Sequence, residues 1–331
     1  MPPRPPLAGS SAATTFRLYD KLTLGYLALV PILVLLSGKA NSFWPILAFG
    51  HPLAILTVWL LVRHQNSLPA ILRWFRDWHP VVFFTFFFSE IGHLVNLFFP
   101  YWFEPFLLQS DRWLFGMPPW EFFAAESNRT TTEIFAFAYW SYYLLIPFAL
   151  WLCYTRRRDD DGRKPAISFE SAMTRLCLVM YLCYASFLLM PARGPHHAYH
   201  LSLAELFTGG WFFGAVLFVQ KYGSVVGAAF PSSHVAAAWT VLLVLRRNRK
   251  SLFWWLLPLV VLMTASTFVI QYHYVLDAVA GVLLALGIEH LAMKHERRKY
   301  RRLRKIARVR RTAARVIHQG TAHVAHVLFR Q

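Results

Sequence analysis

Charged residues are scarce in this sequence. They make up 15% of its 331 residues, whereas 56% of the residues are hydrophobic. A soluble globular protein carries about 25% charged residues. The low charge content therefore excludes an ordinary soluble domain and favours a protein that exposes much of its surface to lipid.

Cysteine and acidic residues are scarce as well. The three cysteines, Cys153, Cys177 and Cys183, lie in or beside apolar segments, where cysteine usually behaves as a small apolar residue. They predict neither a disulfide framework nor a zinc site. The 16 acidic residues are outnumbered by 34 Lys and Arg, which gives a formal net charge of +18.

Long apolar runs are what the sequence has in abundance. About eight of them approach the roughly 20 residues that an α-helix needs to cross a bilayer, which predicts an all-α integral membrane protein. The predicted spans are Leu22–Leu36, Trp44–Val62, Val81–Phe99, Ile134–Cys153, Ala172–Met190, Ser232–Leu245, Leu252–Ile270 and Tyr274–Ala292. The third contains the ionisable residues Glu90 and His93, and the sixth is short. The first could instead be a signal peptide, but no small-residue cleavage site follows it.

The basic loops set the predicted orientation. Loops rich in Lys and Arg stay on the cytoplasmic side of a membrane, and such loops follow the second, fourth, sixth and eighth predicted spans. The loop after the second is predicted to contain Arg63, Arg73 and Arg76, and the loop after the fourth Arg156–Arg158, Arg163 and Lys164. Both termini are therefore predicted to be cytoplasmic, and the loop at 191–231 to lie on the outer side. The predicted regions are a cytoplasmic segment at 1–21, a membrane domain at 22–293 and a basic cytoplasmic tail at 294–331.

A proline, two serines and a histidine open the sixth predicted span. Pro231 suits a helix start, where its missing N–H costs little, and the hydroxyls of Ser232 and Ser233 suit capping. Free backbone N–H groups at such a helix start attract an anion. His234 in the same turn is able to donate a proton to a leaving group.

A second pair of polar residues lies where the seventh predicted span gives way to the eighth. His273 and Asp277 are four residues apart, which places them on one helical face. The carboxylate is able to hold one imidazole nitrogen and leave the other free to attack phosphorus. Either histidine alone is better explained as an interfacial anchor or a packing residue. Two histidines, a carboxylate and Arg193, all predicted at one membrane face, favour catalysis.

These two segments carry a resemblance to a known family. Pro231-Ser232-x-His234 and His273-x-x-x-Asp277 are similar to the second and third signature motifs of the type 2 phosphatidic acid phosphatase superfamily. A run of small residues follows the aspartate, as in the third motif of that superfamily. The resemblance covers the second half of the chain.

Other positions depart from the pattern of the phosphatases. Ser186 and Arg193-Gly194-Pro195 stand where the first motif has a lysine and an Arg-Pro pair, and Thr267 stands where the third motif has an arginine. These departures are similar to the branch that contains inositol phosphorylceramide synthases and, more distantly, sphingomyelin synthases. The stretch that begins Asp111-Arg112-Trp113-Leu114-Phe115-Gly116 also resembles the Asp-x-x-x-Phe-Gly-x-x-Pro element of that branch.

The resemblance implies a mechanism. His273, oriented by Asp277, would attack phosphorus and form a phospho-histidine, while His234 would protonate the departing oxygen. Arg193 would pair with the phosphate oxygens, assisted by Ser232 and Ser233. No metal and no cofactor is required, because protonation and cationic pairing neutralise the developing charge.

The acceptor decides the reaction. An alcohol acceptor gives an inositol phosphotransferase-like enzyme, and the missing basic residues favour this interpretation. Water gives a lipid phosphate or polyprenyl-pyrophosphate phosphatase, so the expected donor is a phospholipid or a polyprenyl phosphate. A non-catalytic transporter, with the polar residues along a permeation path, is the remaining alternative.

Two further groups of polar residues stand out. Glu90, His93 and Asn96 fall near one face of the third predicted span, where they either serve function or form an interhelical hydrogen-bond network. His196, His197 and His200 have a spacing that zinc could use, but no carboxylate or cysteine stands nearby to complete a site. We expect these histidines to be polar loop residues near the phosphate.

The C-terminal tail carries much of the positive charge. Leu303, Ile306 and Val309 recur every three residues among its Lys and Arg. This pattern favours a helix that lies on the anionic inner leaflet. Membrane adhesion explains the charge without nucleic acid as a partner.

Overall fold

The computed structural model describes residues 15–39, 43–155 and 165–328, with side chains described as far as Arg302. Within these ranges all the long elements are helices, which confirms the predicted all-α class. They are α1 (Leu18–Ser37), α2 (His51–Arg63), α3 (Ala70–Leu94), α4 (Glu104–Phe115), α5 (Pro119–Glu126), α6 (Arg129–Thr155), α7 (Phe169–Leu189), α8 (Pro195–Ala198), α9 (Leu203–Leu206), α10 (Trp211–Gly223), α11 (Ser233–Asn248), α12 (Lys250–Val269) and α13 (Val275–Leu328).

The chain divides into two compact units. The first, Met1–Leu286, contains every candidate site residue, and the second is Gly287–Gln331. The predicted tail pattern of Leu303, Ile306 and Val309 lies outside the residues whose side chains are described. The basic residues that are predicted to follow the fourth span, at 156–158 and 163–164, also lie outside the described residues.

Six helices of the described chain are long and apolar enough to cross a membrane, which fits a multi-pass membrane protein. They are α1, α2 together with the π-helical turn Ile46–Gly50 that precedes it, α6, α7, α12 and the segment Val275–Arg302 of α13. The other two predicted spans fall on α3 and α11, which are not among the six. α11 has only 16 residues. The count of eight therefore stays a prediction.

Arg76 has a different environment from the one that the sequence predicted. It lies within α3 rather than in a loop, and it is 1% exposed. Its Nη2 is 2.8 Å from Asp20 Oδ2 on α1, and its Nη1 donates to the hydroxyl of Tyr19 at 2.9 Å. A buried guanidinium needs such partners because desolvation of an unpaired charge is costly. Arg76 is therefore an interhelical ion-pair residue and not a free loop cation.

α11 forms the centre of the bundle of the first unit. It packs against α6, α7 and α12. Its Ala236, Ala237 and Ala238 are fully buried, and small side chains let helix backbones approach closely within a membrane. The N-terminus of this central helix carries the Ser-Ser-His segment, so the packing around α11 decides where the candidate site lies.

The polar residues of α3 form an interhelical network. His51 of α2 lies with its Nε2 at 2.7 Å from Glu90 Oε1 and its Nδ1 at 2.8 Å from the Leu27 carbonyl. The hydroxyl of Tyr26 donates to Glu90 Oε2 at 3.4 Å. His93 instead stacks on Phe43. Of the two alternatives that the sequence left open for Glu90, the structure shows an interhelical hydrogen-bond network.

This network predicts a stability effect. Both partners of the His51–Glu90 pair are almost completely buried, so His51→Ala leaves a carboxylate without its imidazole partner. We expect a loss of about 3–5 kcal/mol in the free energy of unfolding. Thermal unfolding in detergent measures it. His64→Ala, an exposed histidine just after α2, is the control, and equal melting temperatures for the two variants would contradict the assignment.

Candidate active site

Ser232 starts α11 and joins it to α13. Its Oγ accepts from the N–H of Val235 at 3.4 Å, and its own N–H donates to the carbonyl of Asp277 at 3.0 Å. Ser232 is completely buried, and Ser233 is 2% exposed. Ser233 lines a cavity of the first unit that also contains His234 and His273, but Ser232 does not. The hydroxyl of Ser232 is used as the predicted cap.

His273 lies in the turn between α12 and α13 with one nitrogen fixed. Its Nδ1 is 2.9 Å from the Ala229 carbonyl and 3.4 Å from Asp277 Oδ2. Both neighbours are acceptors, so Nδ1 carries the hydrogen and Nε2 has a free lone pair. The Ala229 carbonyl is the nearer acceptor. Asp277 is the predicted orienting group. Its Oδ2 accepts from the N–H of Tyr274 at 2.9 Å, which is shorter than its distance to Nδ1 of His273.

The Ala229 carbonyl is itself held by a short bridge. Ala192, after α7, and Ala228, before α11, form an isolated parallel bridge. In it the N–H of Ala229 donates to the Ala192 carbonyl at 3.0 Å. The backbone of the loop that contains the predicted first motif thereby helps to fix the tautomer of His273. No single motif of the sequence predicts this long-range contact.

His234 faces His273 from the first turn of α11. Their ring centroids are 5.9 Å apart. His234 packs against the rings of Tyr139 and Tyr142, with the Tyr139 hydroxyl 3.4 Å from its Nε2. Its Nδ1 is buried and has no hydrogen-bond partner among the described residues. The two predicted histidines therefore meet in one place, with a nitrogen of each available.

Two glycines permit this convergence. A Cβ on Gly281 would lie 2.7 Å from the Ser232 carbonyl oxygen, and a Cβ on Gly194 would lie 2.1 Å from the Tyr272 carbonyl oxygen. Real Cβ atoms do not approach that closely. Gly281 lets α13 contact the start of α11, and Gly194 lets the loop after α7 contact the His273 turn.

Gly281 provides a test of this packing. Gly281→Ala improves helix propensity, so the protein should still assemble, but the methyl group displaces the start of α11. We expect activity toward a lipid phosphate to fall about 10²-fold, since a displacement of about 1 Å between reacting groups costs that much. Gly287→Ala, at a glycine of the same helix with nothing within 4 Å of the added Cβ, should keep full activity. Equal activities would contradict the packing argument.

Arg193 does not line the cavity. Its Nε donates to Glu104 Oε1 at 2.7 Å, a second guanidinium nitrogen also contacts Glu104, and its guanidinium lies 4.7 Å from the Trp102 ring centroid. Glu104, on α4, is 3% exposed. The predicted phosphate anchor is therefore held by a carboxylate that sequence reasoning did not identify, because the two residues are far apart in the chain.

Asp111 is a second acidic residue of α4 that supports the site. It is fully buried, and its Oδ1 accepts from the N–H of Val275 at 3.2 Å, at the start of α13. Burial, with a further contribution from Asp277, raises the pKa of Asp111 to about 7. In the sequence, Asp111 stands out only through the resemblance of its stretch to a family element, and that resemblance stays a prediction.

A cavity of about 490 Å³ extends from the histidines between the helices. Its polar end contains Ser233, His234 and His273, together with His196 and His197. The other walls come mainly from apolar and aromatic side chains of α3, α6, α7 and α10: Val81, Phe84, Phe88, Tyr139, Tyr142, Tyr143, Ile146, Pro147, Leu176, Met180, Tyr184, Phe218, Val219 and Tyr222. Arg193, Ser232 and Asp277 lie outside this lining.

The structure gives the three histidines after Arg193 different environments. His196 and His197 lie in the short helix α8 rather than in irregular loop, and both line the cavity, whereas His200 is exposed. Their position near the phosphate stays a prediction. In the described part of the chain, no three or more His, Cys, Asp and Glu residues are grouped as metal ligands.

The pKa of His273 predicts a pH dependence. Burial lowers the pKa of His273 to about 4, whereas an unburied histidine titrates near about 6.5. Only the neutral ring has a free Nε2 lone pair, so reactivity is lost as the pH falls through about 4. An alkyl p-nitrophenyl phosphodiester suits the measurement of kcat/KM, because its leaving group needs no proton. A decline centred near about 6.5 would contradict the assignment.

Comparison with known proteins supports the family resemblance. The family model of the PAP2 superfamily matches residues 105–291, which is more than half of the chain and includes Arg193, Ser232, Ser233, His234, His273 and Asp277. The chain belongs to the PAP2 superfamily. No curated protein and no solved structure matches it. Membership supports a lipid phosphatase or phosphotransferase type of function and does not select a branch within the family.

Proposed function

We propose that this protein is a membrane enzyme that transfers a phosphate or phospho-head-group from a lipid donor through a phospho-histidine at His273. The observation that carries the proposal is the pair of imidazoles at the polar end of the cavity, 5.9 Å apart, with Nε2 of His273 free. A phosphorus atom between the two rings is within reach of both.

The first half-reaction uses these two residues. Nε2 of His273 attacks phosphorus, the N–P bond forms, and the bond from phosphorus to the lipid oxygen breaks. His234, in its protonated form, gives its proton to that oxygen, so the lipid leaves as an alcohol. The Ala229 carbonyl and Asp277 stabilise the positive charge that develops on the His273 ring.

Phosphate binding falls to groups around the start of α11. Ser233 lies at the polar end of the cavity, and we assign its hydroxyl and the adjacent backbone N–H groups to the phosphate oxygens. Ser232 contributes by fixing this helix start. We propose that Arg193, whose side chain is 29% exposed, reaches the phosphate at the cavity mouth while Glu104 keeps its guanidinium in place.

The cavity wall supports a lipid substrate. On α7 the lining residues Leu176 and Tyr184 are eight positions apart, which corresponds to roughly 12 Å of helix. An apolar wall of that depth accommodates the first part of an acyl or isoprenoid chain. A cavity of about 490 Å³ holds only a fraction of a phospholipid or polyprenyl phosphate, so the rest of the chain lies in the bilayer.

Two positions favour an alcohol acceptor over water. Ser186 donates its hydroxyl to the Leu182 carbonyl, and Thr267 donates its own to the Thr264 carbonyl. Neither supplies the cation found in the ordinary phosphatases of the resemblance. We therefore favour transfer to an alcohol, as in inositol phosphorylceramide synthases, and keep hydrolysis as the second candidate function.

Purified protein in liposomes tests the proposal. It is incubated with a phosphorus-labelled phospholipid or polyprenyl phosphate, with and without inositol or a lipid alcohol. A new phosphorylated alcohol that requires the acceptor supports transfer, and free phosphate or free phospho-head-group supports hydrolysis. Passage of solute or lipid across the bilayer without any cleavage of a phosphate bond would favour the transporter alternative and overturn the proposal.

We also propose the predicted arrangement in the membrane, with α3 and α11 as additional crossings, both termini cytoplasmic and the site on the outer face. Exposed basic residues of the second unit, Arg297, Arg298, Lys299, Arg301 and Arg302, suit contact with anionic inner-leaflet lipids. Labelling of a single cysteine introduced at Ser127 or at Arg302 in sealed vesicles tests the orientation. Labelling of both from the same side would contradict it.

A further inference from the structure

His196 is a buried histidine that the mechanism above does not use. It is 6% exposed and lies in the short helix α8. Its Nδ1 is 2.8 Å from the Gln271 carbonyl, and its backbone N–H donates to the same oxygen at 3.1 Å. Its Nε2 is buried without a hydrogen-bond partner among the described residues, and its side chain lines the same cavity as His273.

The Gln271 carbonyl fixes the state of this ring. A carbonyl only accepts, so Nδ1 of His196 carries the hydrogen and Nε2 has a lone pair. Gln271 has a φ of 64°, a left-handed conformation that is uncommon for residues other than glycine. Burial, followed by the nearby His197, lowers the pKa of His196 to about 3, so the ring is neutral near pH 7.

The same short turn therefore positions two imidazoles. The carbonyl of Gln271 in this turn accepts from Nδ1 of His196. His273, two residues after Gln271, is held by the Ala229 carbonyl. Each ring has its Nδ1 fixed and its Nε2 unoccupied. Gly194 makes this possible, because its backbone approaches the Tyr272 carbonyl more closely than any residue with a Cβ could.

We propose that His196 is a catalytic residue of the second half-reaction, in which its Nε2 binds the acceptor hydroxyl and takes its proton. The acceptor oxygen attacks the phosphorus on His273, the new O–P bond forms, and the N–P bond breaks with its electron pair returning to Nε2 of His273. The proton moves from the acceptor to His196 and leaves to solvent with the product. This inference rests on the proposed function.

The geometry separates the two proton transfers. His234 lies at the start of α11 among Tyr139, Tyr142 and Phe88, whereas His196 lies against Tyr272 on the loop after α7, with ring centroids 4.8 Å apart. One histidine then serves the leaving lipid and the other the incoming hydroxyl. A general acid and a general base on different residues suit a transferase, because donor and acceptor are different molecules that must both contact phosphorus.

The test measures the covalent intermediate in His196→Ala and His196→Gln, the second of which keeps a donor for the Gln271 carbonyl but has no basic nitrogen. Enzyme is mixed with phosphorus-labelled lipid and acceptor, quenched in alkali, and assayed for bound label and for product. We expect turnover to fall about 10²–10⁴-fold, label to accumulate on the protein, and added imidazole to restore part of the turnover of His196→Ala.

Three comparisons decide the outcome. His200→Asn, at an exposed histidine of the same loop with a φ of 52°, should behave like the unchanged protein, since asparagine tolerates that conformation. Normal turnover in both His196 variants, or slow turnover without accumulation of label, overturns the role of His196. Absence of label from every protein, with normal turnover in His273→Ala, overturns the proposed function itself.

Discussion

Replacement of His273 by alanine is expected to reduce phosphate release or transfer by at least about 10⁴-fold, since it removes the nucleophile of a covalent mechanism. The variant should also fail to become labelled by a phosphorus-labelled lipid. The hydrogen bond to Ala229 is lost at the same time, so the melting temperature in detergent is measured in parallel to separate chemistry from folding.

An exposed histidine of α13 provides the control for this experiment. His290 is outside the candidate site and solvent-accessible, and His290→Ala should keep full activity. If His273→Ala keeps more than a small fraction of the activity, with substrate binding unchanged, another group must attack phosphorus. The assignment of the nucleophile would then be wrong.

Replacement of His234 by alanine is expected to slow the reaction about 10²–10⁴-fold with a lipid alkoxide as the leaving group. The loss should nearly disappear with a p-nitrophenyl phosphate ester of the same chain, because p-nitrophenolate leaves without being protonated. A general acid produces this difference between substrates, whereas a residue needed only for packing lowers both rates.

Tyr139→Phe is the matched variant for His234. It removes the hydroxyl that lies 3.4 Å from Nε2 of His234 and keeps the ring that packs on it. Its activity should fall far less than that of His234→Ala. An equal loss with both leaving groups in His234→Ala would contradict the general-acid role.

Short-range patterns in the sequence were sufficient to predict several local features of the candidate site. Ser232 caps α11, and Ser233 and His234 line the cavity. Nδ1 of His273 lies 3.4 Å from Oδ2 of Asp277. Helix capping and the spacing of four residues are local properties, and the sequence displays them directly. The all-helical class follows from the apolar runs for the same reason.

Long-range pairing accounts for what the sequence could not predict. Glu104 binds Arg193 and Asp111 caps α13 across long stretches of chain, and no local pattern records such partners. The Ala229 carbonyl, a backbone atom, is nearer to His273 than the predicted carboxylate is. The Gln271 carbonyl, another backbone atom, binds Nδ1 of His196 and so leaves the buried Nε2 with its lone pair. The sequence alone does not predict this arrangement.

Contacts between helices also explain why hydropathy alone leaves the number of membrane crossings open. Glu90 lowers the hydropathy of α3, yet it is paired with His51 inside the protein and is 0% exposed. α11 is short, yet it is surrounded by α6, α7 and α12. Hydropathy measures the cost of contact with lipid, so it does not decide whether helices whose polar groups are satisfied by other helices cross the membrane.

Location of the covalent phosphate tests the central claim most directly. Enzyme turning over a labelled lipid is quenched in alkali, which preserves phospho-histidine, then digested and sequenced by mass spectrometry. We expect phosphate on His273 and on no other residue, and we expect the phosphorylated species to be lost when acceptor is added in excess. Phosphate on a different residue, or turnover with inversion of configuration at a chiral phosphorus, would contradict it.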